Sequence, residues 1–164
     1  MTPTMNWQAD LMRAHARLFE SVQGEPHLSF GYPQCGEGWR DTLERLCDRI
    51  ESALRDRETF AFVRIKQKMA ILRADWTGDV SDGTAAKILE AVNLATARSS
   101  CTCEICGAEG SRYIDRGWFA TLCDKLAAGD RVPKKPGFEN VRRLRRRVAR
   151  RTCTTRATTA RPTV

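Results

Sequence analysis

The chain has 164 residues, enough for one ordinary domain with a tail but too few for two domains with separate cores. Charged residues make up 29% and hydrophobic residues 41%, a balance typical of a globular protein and well short of a membrane protein's apolar excess. No run approaches the roughly 18 uninterrupted apolar residues of a membrane span, and the first ten residues lack the features of a secretory signal. We therefore expect a cytoplasmic protein with no membrane partner.

The positive charge of the chain is concentrated at its C-terminus. Residues 1–130 contain 16 Lys and Arg against 19 Asp and Glu, a net charge of −3, whereas residues 131–164 contain 12 against 1, a net charge of +11. This asymmetry is typical of a chain that contacts a polyanion or an acidic protein surface.

Apolar residues at helical spacing predict three helices, over residues 7–22, 39–54 and 82–100. The second has the strongest apolar stripe, with charged residues on its other faces. Ser81 and Asp82 are candidate N-caps for the third helix.

Between the second and third helices the period changes to that of a strand. Over residues 60–68, Ala61, Val63 and Ile65 alternate with Phe62, Arg64 and Lys66, and residues 71–76 resemble a second strand. The joint between them contains no Gly or Asn, so a tight turn with positive φ angles is not predicted. The fold class we predict is α+β, with helices flanking a small sheet.

Four of the seven cysteines lie between positions 101 and 123. An odd number of cysteines without a secretory signal argues against a disulfide framework, so metal binding is the better interpretation. Cys103 and Cys106 have the two-residue gap of a zinc knuckle, and Cys123 follows at a spacing found in paired knuckles. We predict a treble-clef or zinc-ribbon-like lobe that binds Zn²⁺.

The fourth zinc ligand is the open question. Leu126 occupies the position, three residues after Cys123, where a Cys or His would complete the site. The predicted ligands are Cys101, Cys103, Cys106 and Cys123, because zinc favours four donors and thiolates. Asp124 is a weaker candidate than Cys101, and a knuckle that has lost its metal is the alternative.

Three segments, residues 35–47, 62–73 and 102–124, together resemble a family of small, largely uncharacterised bacteriophage and prophage proteins. Members have a Gly-x-Gly-Trp helix, a strand with a Lys-x-Lys-Phe-Gly-x-Leu-Arg-like motif and a C-terminal zinc knuckle ending in Cys-Asp-x-His. Here Met69 and Ala70 replace the Phe-Gly pair, and Leu126 replaces the His. The resemblance implies an accessory role in a bacterial host cell and supplies no reaction.

The C-terminal segment is predicted to contact nucleic acid. A linker with Lys134 and Lys135 leads into residues 138–151, whose apolar residues fall on one helical stripe, and residues 152–164 have the composition of a disordered tail. Arginine binds phosphate in a bidentate manner and stays charged. The predicted nucleic-acid contacts are the two lysines and Arg142, Arg143, Arg145, Arg146, Arg147, Arg150 and Arg151. A solvated tail that docks on an acidic protein is the alternative.

Further cations and aromatic residues allow two interpretations. Four cations on the predicted strands either extend the basic surface or form an ordinary solvent face: Arg64, Lys66, Lys68 and Arg73. Trp39, Trp76, Trp118 and Phe119 are candidate stacking platforms for bases, although core packing is the favoured interpretation. His15 and His27 have no visible nucleophile partner, and no phosphate-binding loop occurs, so enzymatic activity is not predicted.

These observations predict three regions: an α+β core over residues 1–100, a zinc-knuckle lobe over 101–130 and a basic segment over 131–164. The preferred function is a noncatalytic phage or prophage accessory protein that contacts DNA or RNA. The alternative is an anti-CRISPR-like inhibitor of a host defence system, which would bind a host nucleoprotein complex and occupy its nucleic-acid-binding surface.

Overall fold

A computed structural model describes residues 6–20 and 25–137, so the predicted arginine-rich helix and the tail after it lie outside the described residues. The α-helices of this part are α1 (Trp7–Ala14), α2 (Arg40–Ala53) and α3 (Asp82–Ser99). Its strands are β1 (Pro33–Gln34), β2 (Ala61–Lys68), β3 (Ile71–Thr77), β4 (Ser111–Asp115), β5 (Trp118–Leu122) and β6 (Asp130–Arg131). The predicted α+β class is confirmed.

The larger sheet and the helices share one hydrophobic core. Strand β1 runs parallel to β2, which pairs antiparallel with β3. The apolar stripe of α2 packs in one cluster with residues of β2, β3 and α3, and its fully buried members include Trp39, Leu43, Leu46, Ile50, Phe62, Ile65, Leu72 and Ile88. Burial of each such side chain is worth about 1.5–3 kcal/mol, so this cluster is the main source of stability.

Helix α1 is shorter than its apolar stripe predicts. Its N-cap is Asn6, whose side chain accepts the Ala9 N–H, and the helix ends at Ala14 instead of continuing to residue 22. His15 leaves the helical conformation, with φ −121° and ψ 42°, and a single-turn 3₁₀ helix follows at Ala16–Leu18. The break allows Leu18 to reach the core, where it is fully buried.

Strand β2 has a register shift that the alternation of its sequence does not predict. The shift lies between Phe62 and Arg64, so Phe62 and Ile65 both face the core. Val63, which the alternation places with Ile65, is instead 41% exposed. A bulge of this kind adds a residue to one strand and moves the side chains that follow to the other face.

The β2–β3 hairpin closes with a tight turn, contrary to the prediction. Met69 and Ala70 both adopt positive φ angles, 54° and 67°, although neither is Gly or Asn. Turns of this kind match the twist of a two-stranded hairpin, but each non-glycine residue with positive φ costs about 1–3 kcal/mol. Contacts from outside the hairpin must therefore stabilise this turn.

The second sheet has the order β5–β4–β6, with both neighbours antiparallel to β4. After β6, Val132 N–H donates to the Arg112 carbonyl, so the lobe's backbone pairing continues two residues past 130. The first residues of the basic C-terminal segment, Arg131 and Val132, therefore belong to this lobe. No helix in the described ranges is both long and apolar enough to cross a membrane.

Candidate metal centre

Three cysteine thiols meet at one end of the second sheet. The sulfurs of Cys103, Cys106 and Cys123 all lie within 4.8 Å of one another, and the Sγ atoms of Cys106 and Cys123 are 3.6 Å apart. Tetrahedral coordination with Zn–S bonds of 2.3 Å requires sulfur–sulfur distances of about 3.8 Å. The three thiols are therefore close enough to bind one metal ion, as the cysteine spacing predicts.

The knuckle turn points backbone N–H groups at the first sulfur. Gly107, with φ 73°, lets its N–H return to the Cys103 carbonyl at 2.9 Å. Burial opposes ionisation of the Cys103 thiol, but N–H groups of Cys106, Cys123 and Ile105 donate to its sulfur and together lower its pKa. A thiolate is the form that binds a metal.

The β4–β5 hairpin returns the chain so that Cys123 lies beside the knuckle. Its turn has positive φ angles at Arg116 and Gly117, 48° and 81°. Cys103 and Cys123 are buried with Tyr113 and Leu122 in a small apolar cluster. Cys106 is exposed, so one side of the thiol cluster faces solvent.

The structure does not bring Cys101 to this cluster, contrary to its predicted role as fourth ligand. Its Sγ lies 3.3 Å from the Arg98 carbonyl, because Cys101 directly follows the end of α3 and its thiol donates to a helix-terminal oxygen. Asp124 accepts a 2.7 Å hydrogen bond from the Tyr113 hydroxyl. Leu126, in the usual ligand position, is 42% exposed and supplies no donor side chain. Among the described residues, the side chains that lie together as potential ligands are therefore the three thiols of Cys103, Cys106 and Cys123.

The knuckle rests directly on the loop before α2. Gly38 N–H donates to the Glu104 carbonyl at 2.8 Å, and Gly36 N–H donates to the Glu104 carboxylate at 3.1 Å. The buried Trp39 indole donates to the Thr102 carbonyl at 2.8 Å. A Cβ on Gly38 would lie only 2.2 Å from the Cys103 carbonyl oxygen. The Gly-x-Gly-Trp motif therefore provides a side-chain-free surface on which the knuckle docks.

The strained β2–β3 turn is held by the same lobe. Thr121, buried on β5, donates its hydroxyl to the Ala70 carbonyl at 2.6 Å, and Gln67 donates to the Phe119 carbonyl. The Thr121 carbonyl accepts the Glu104 N–H at 2.9 Å. Thus residues 35–47, 62–73 and 102–124, distant in sequence, meet where the knuckle and β5 contact the rest of the structure. The sequence pattern does not predict this junction, because the contacting residues are far apart along the chain.

The predicted nucleic-acid-binding residues fall in two groups. Lys134 and Lys135 are described and exposed, whereas the seven arginines between 142 and 151 lie outside the described residues. On the strands, Arg64 pairs with Asp75 at 3.0 Å, the arrangement of an ordinary solvent face.

The four candidate aromatic residues occupy different environments. Trp39 is fully buried and Trp76 stacks on Phe60 against the core, as core packing predicts. Trp118 is instead 71% exposed on the hairpin, and the Arg112 guanidinium lies 4.3 Å from the centre of the Phe119 ring. Of these four residues, Trp118 is the one with a largely exposed ring that could stack on a ligand.

Comparison with protein-family models, with curated proteins and with solved structures finds no match for this chain. Its function must therefore be argued from its own residues.

Proposed function

We propose that this protein is a noncatalytic, zinc-stapled phage or prophage accessory protein that contacts nucleic acid through its arginine-rich C-terminal segment. The observation that carries the proposal is the separation of charge along the chain, −3 over residues 1–130 and +11 over residues 131–164. Because β6 pairs with β4, the basic segment begins at the cysteine lobe. The resemblance to phage and prophage proteins supports the accessory role.

Zinc is the metal that best suits the thiol cluster. Three thiolate ligands favour zinc over hard cations such as Mg²⁺ and Ca²⁺. We assign the ion a structural role, since it would join the knuckle to the end of β5, and both contact the core through Gly38 and Ala70. Glu104, the carboxylate within the knuckle, accepts the Gly36 N–H instead of facing an open metal position. A water molecule or a donor from another part of the chain would complete the coordination.

Nucleic acid is the partner that best suits the basic segment. Arginine binds phosphate oxygens in a bidentate manner, and a net charge of +11 over 34 residues is far more than solubility requires. Such contacts carry no sequence information by themselves. Any preference for single strands would come from aromatic stacking, for which the exposed Trp118 is available.

The test is binding of the full-length protein to duplex DNA, duplex RNA and single-stranded RNA across a salt series. If about six arginines neutralise duplex phosphates, log Kd should change with log salt concentration with a slope of magnitude near 5. Replacing all seven arginines between 142 and 151 by Gln should abolish binding, whereas replacing them by Lys, as a charge-matched control, should retain most of it. Absence of binding by the native chain would refute the proposal.

A negative result would favour the other candidate partner. The basic segment would then bind an acidic protein surface, as expected of an inhibitor that occupies the nucleic-acid channel of a host defence complex. Capture of host proteins that survives nuclease treatment would identify that case.

A further inference from the structure

A second group of potential metal-binding side chains lies between α1 and α2 and is separate from the cluster of Cys103, Cys106 and Cys123. It consists of His15, Asp48 and Glu51, each of which offers a donor atom within 4.8 Å of the others. His15 lies just after α1, and the two carboxylates are three residues apart on α2. The His15 residue is nine-tenths buried, which is uncommon for histidine in a surface helix.

Glu51 determines which His15 nitrogen is free. The Nδ1 atom lies 3.0 Å from Oε2 of Glu51. Because an ionised carboxylate only accepts hydrogen bonds, the N–H group is at Nδ1 and donates a hydrogen bond to Glu51. In the neutral ring Nε2 then has an unshared lone pair. A carboxylate that fixes the tautomer of a histidine in this way is the usual support for a metal-ligating imidazole.

The free nitrogen faces a charged cleft. Nε2 has no hydrogen-bond partner in the described structure, and Oδ1 of Asp48 lies 4.0 Å from it. Both residues line a cleft of about 250 Å³ whose other charged residues are Asp10, Glu44 and Arg40. Asp10 pairs with Arg13, and Glu44 pairs with Arg40 at 2.9 Å.

The remaining charge in this cleft favours a cation. Within the described ranges, the carboxylates of Asp48 and Glu51 lie 4.0 Å and 3.0 Å from the His15 ring nitrogens and form no ion pair with Arg or Lys. Two carboxylates therefore lie beside one imidazole, with no Arg or Lys among their ion-pair partners in this part of the chain. A bound divalent ion would neutralise both charges.

We propose that His15 and Asp48 bind one divalent transition-metal ion, with Glu51 as the positioning residue for the imidazole. Imidazole nitrogen and carboxylate oxygen are donors that suit Zn²⁺ and Mn²⁺ and do not select a soft ion. Metal–ligand bonds of about 2.0–2.2 Å place tetrahedral N and O donors about 3.4 Å apart. The Asp48 side chain is 69% exposed, so it can close the remaining gap from 4.0 Å by a rotamer change. Water from the cleft would complete the coordination.

Mn²⁺ is the appropriate probe because it prefers nitrogen and oxygen ligands over the thiolates of the cysteine cluster. The experiment titrates the full-length protein with Mn²⁺ and measures free Mn²⁺ by electron paramagnetic resonance. The test variants are His15→Gln, Asp48→Asn and Glu51→Gln. His27→Gln is the matched control, since His27 also pairs with a glutamate, Glu25 at 3.2 Å, but is exposed. Circular dichroism confirms that each variant is folded.

The native protein and His27→Gln should each bind one Mn²⁺ per chain. Affinity should fall by about 10–100-fold in Glu51→Gln, and by at least as much in His15→Gln and Asp48→Asn. If His15→Gln does not fold, the Mn²⁺ affinity of Asp48→Asn tests the proposal. The Asp48 side chain is largely solvent-exposed, so its substitution should leave the fold intact. The proposal is overturned if the native protein binds no Mn²⁺ up to about 1 mM, or if Asp48→Asn binds as tightly as the native protein.

Discussion

Replacing Gly38 by Ala should separate the cysteine lobe from the core. The new Cβ would lie 2.2 Å from the Cys103 carbonyl oxygen and 2.6 Å from both the Glu104 carbonyl oxygen and the Gly107 nitrogen. Ordinary contact requires about 3.5 Å, and all three atoms belong to the backbone, so no side-chain rotation relieves the clash. The knuckle must therefore move away from α2 by about 1 Å.

That movement has a cost that follows from the hydrogen bonds at the junction. The bond from Gly38 N–H to Glu104 breaks, and the bond from the buried Trp39 indole to Thr102, now 2.8 Å, lengthens. Each bond contributes about 1 kcal/mol, and each buried group left without a partner costs about 1–3 kcal/mol. We expect Gly38→Ala to lower the free energy of unfolding by about 2–4 kcal/mol.

Urea unfolding of the full-length protein, followed by tryptophan fluorescence and circular dichroism, measures this change. With a slope of about 2 kcal/mol per molar urea, the midpoint should fall by about 1–2 M. Gly83→Ala is the matched control, because no atom lies within 4 Å of a Cβ at Gly83 and the residue is in α3. The control should gain about 0.5–1 kcal/mol. Equal midpoints for Gly38→Ala and the native protein would refute the docking of the knuckle on this loop.

Three other substitutions test separate parts of the structure. Met69→Gly should raise the free energy of unfolding by about 1 kcal/mol, since Met69 is exposed at φ 54°; a fall in Tm would contradict this. Trp118→Ala should leave Tm unchanged but weaken binding of single-stranded RNA about fivefold or more, measured by fluorescence anisotropy; equal affinity would exclude stacking. Backbone N–H groups of Arg55 and Ser81 lower the pKa of Glu58 to about 2, so its stabilisation is complete above pH about 4.5 and is lost as the pH falls towards 2. Glu58→Gln should therefore lower Tm at pH 7 but not at pH 2, and a pH-independent difference would contradict this.

The sequence predicts best the helices and strands that have a regular pattern of apolar residues. Helix α2 and strands β2 and β3 follow the predicted bounds within one or two residues, because each has a regular apolar period. The tight turn at Met69 and Ala70 was not predictable, since the group that holds it, the Thr121 hydroxyl, lies 51 residues away. The bulge that exposes Val63 also depends on packing and not on the alternation of the strand.

In the candidate site, too, the residues found by local spacing are predicted and those that depend on distant partners are not. The three clustered cysteines follow from knuckle spacing, which is a local signal. The direction of the Cys101 thiol depends on where α3 ends, so spacing alone could not show that it points to Arg98. His15 gave no signal in the sequence because its partner Glu51 is 36 residues away on another helix.

Substitution with Co²⁺ tests whether Cys103, Cys106 and Cys123 bind one zinc ion. Thiolate-to-cobalt charge-transfer absorption reports sulfur ligands only, so an ion bound at His15 does not contribute. The native protein and Cys101→Ser should both take up one Co²⁺ with this absorption and release it to Zn²⁺, whereas Cys106→Ser should lose it. Loss in Cys101→Ser with retention in Cys106→Ser, or no charge-transfer band in the native protein, would contradict the account.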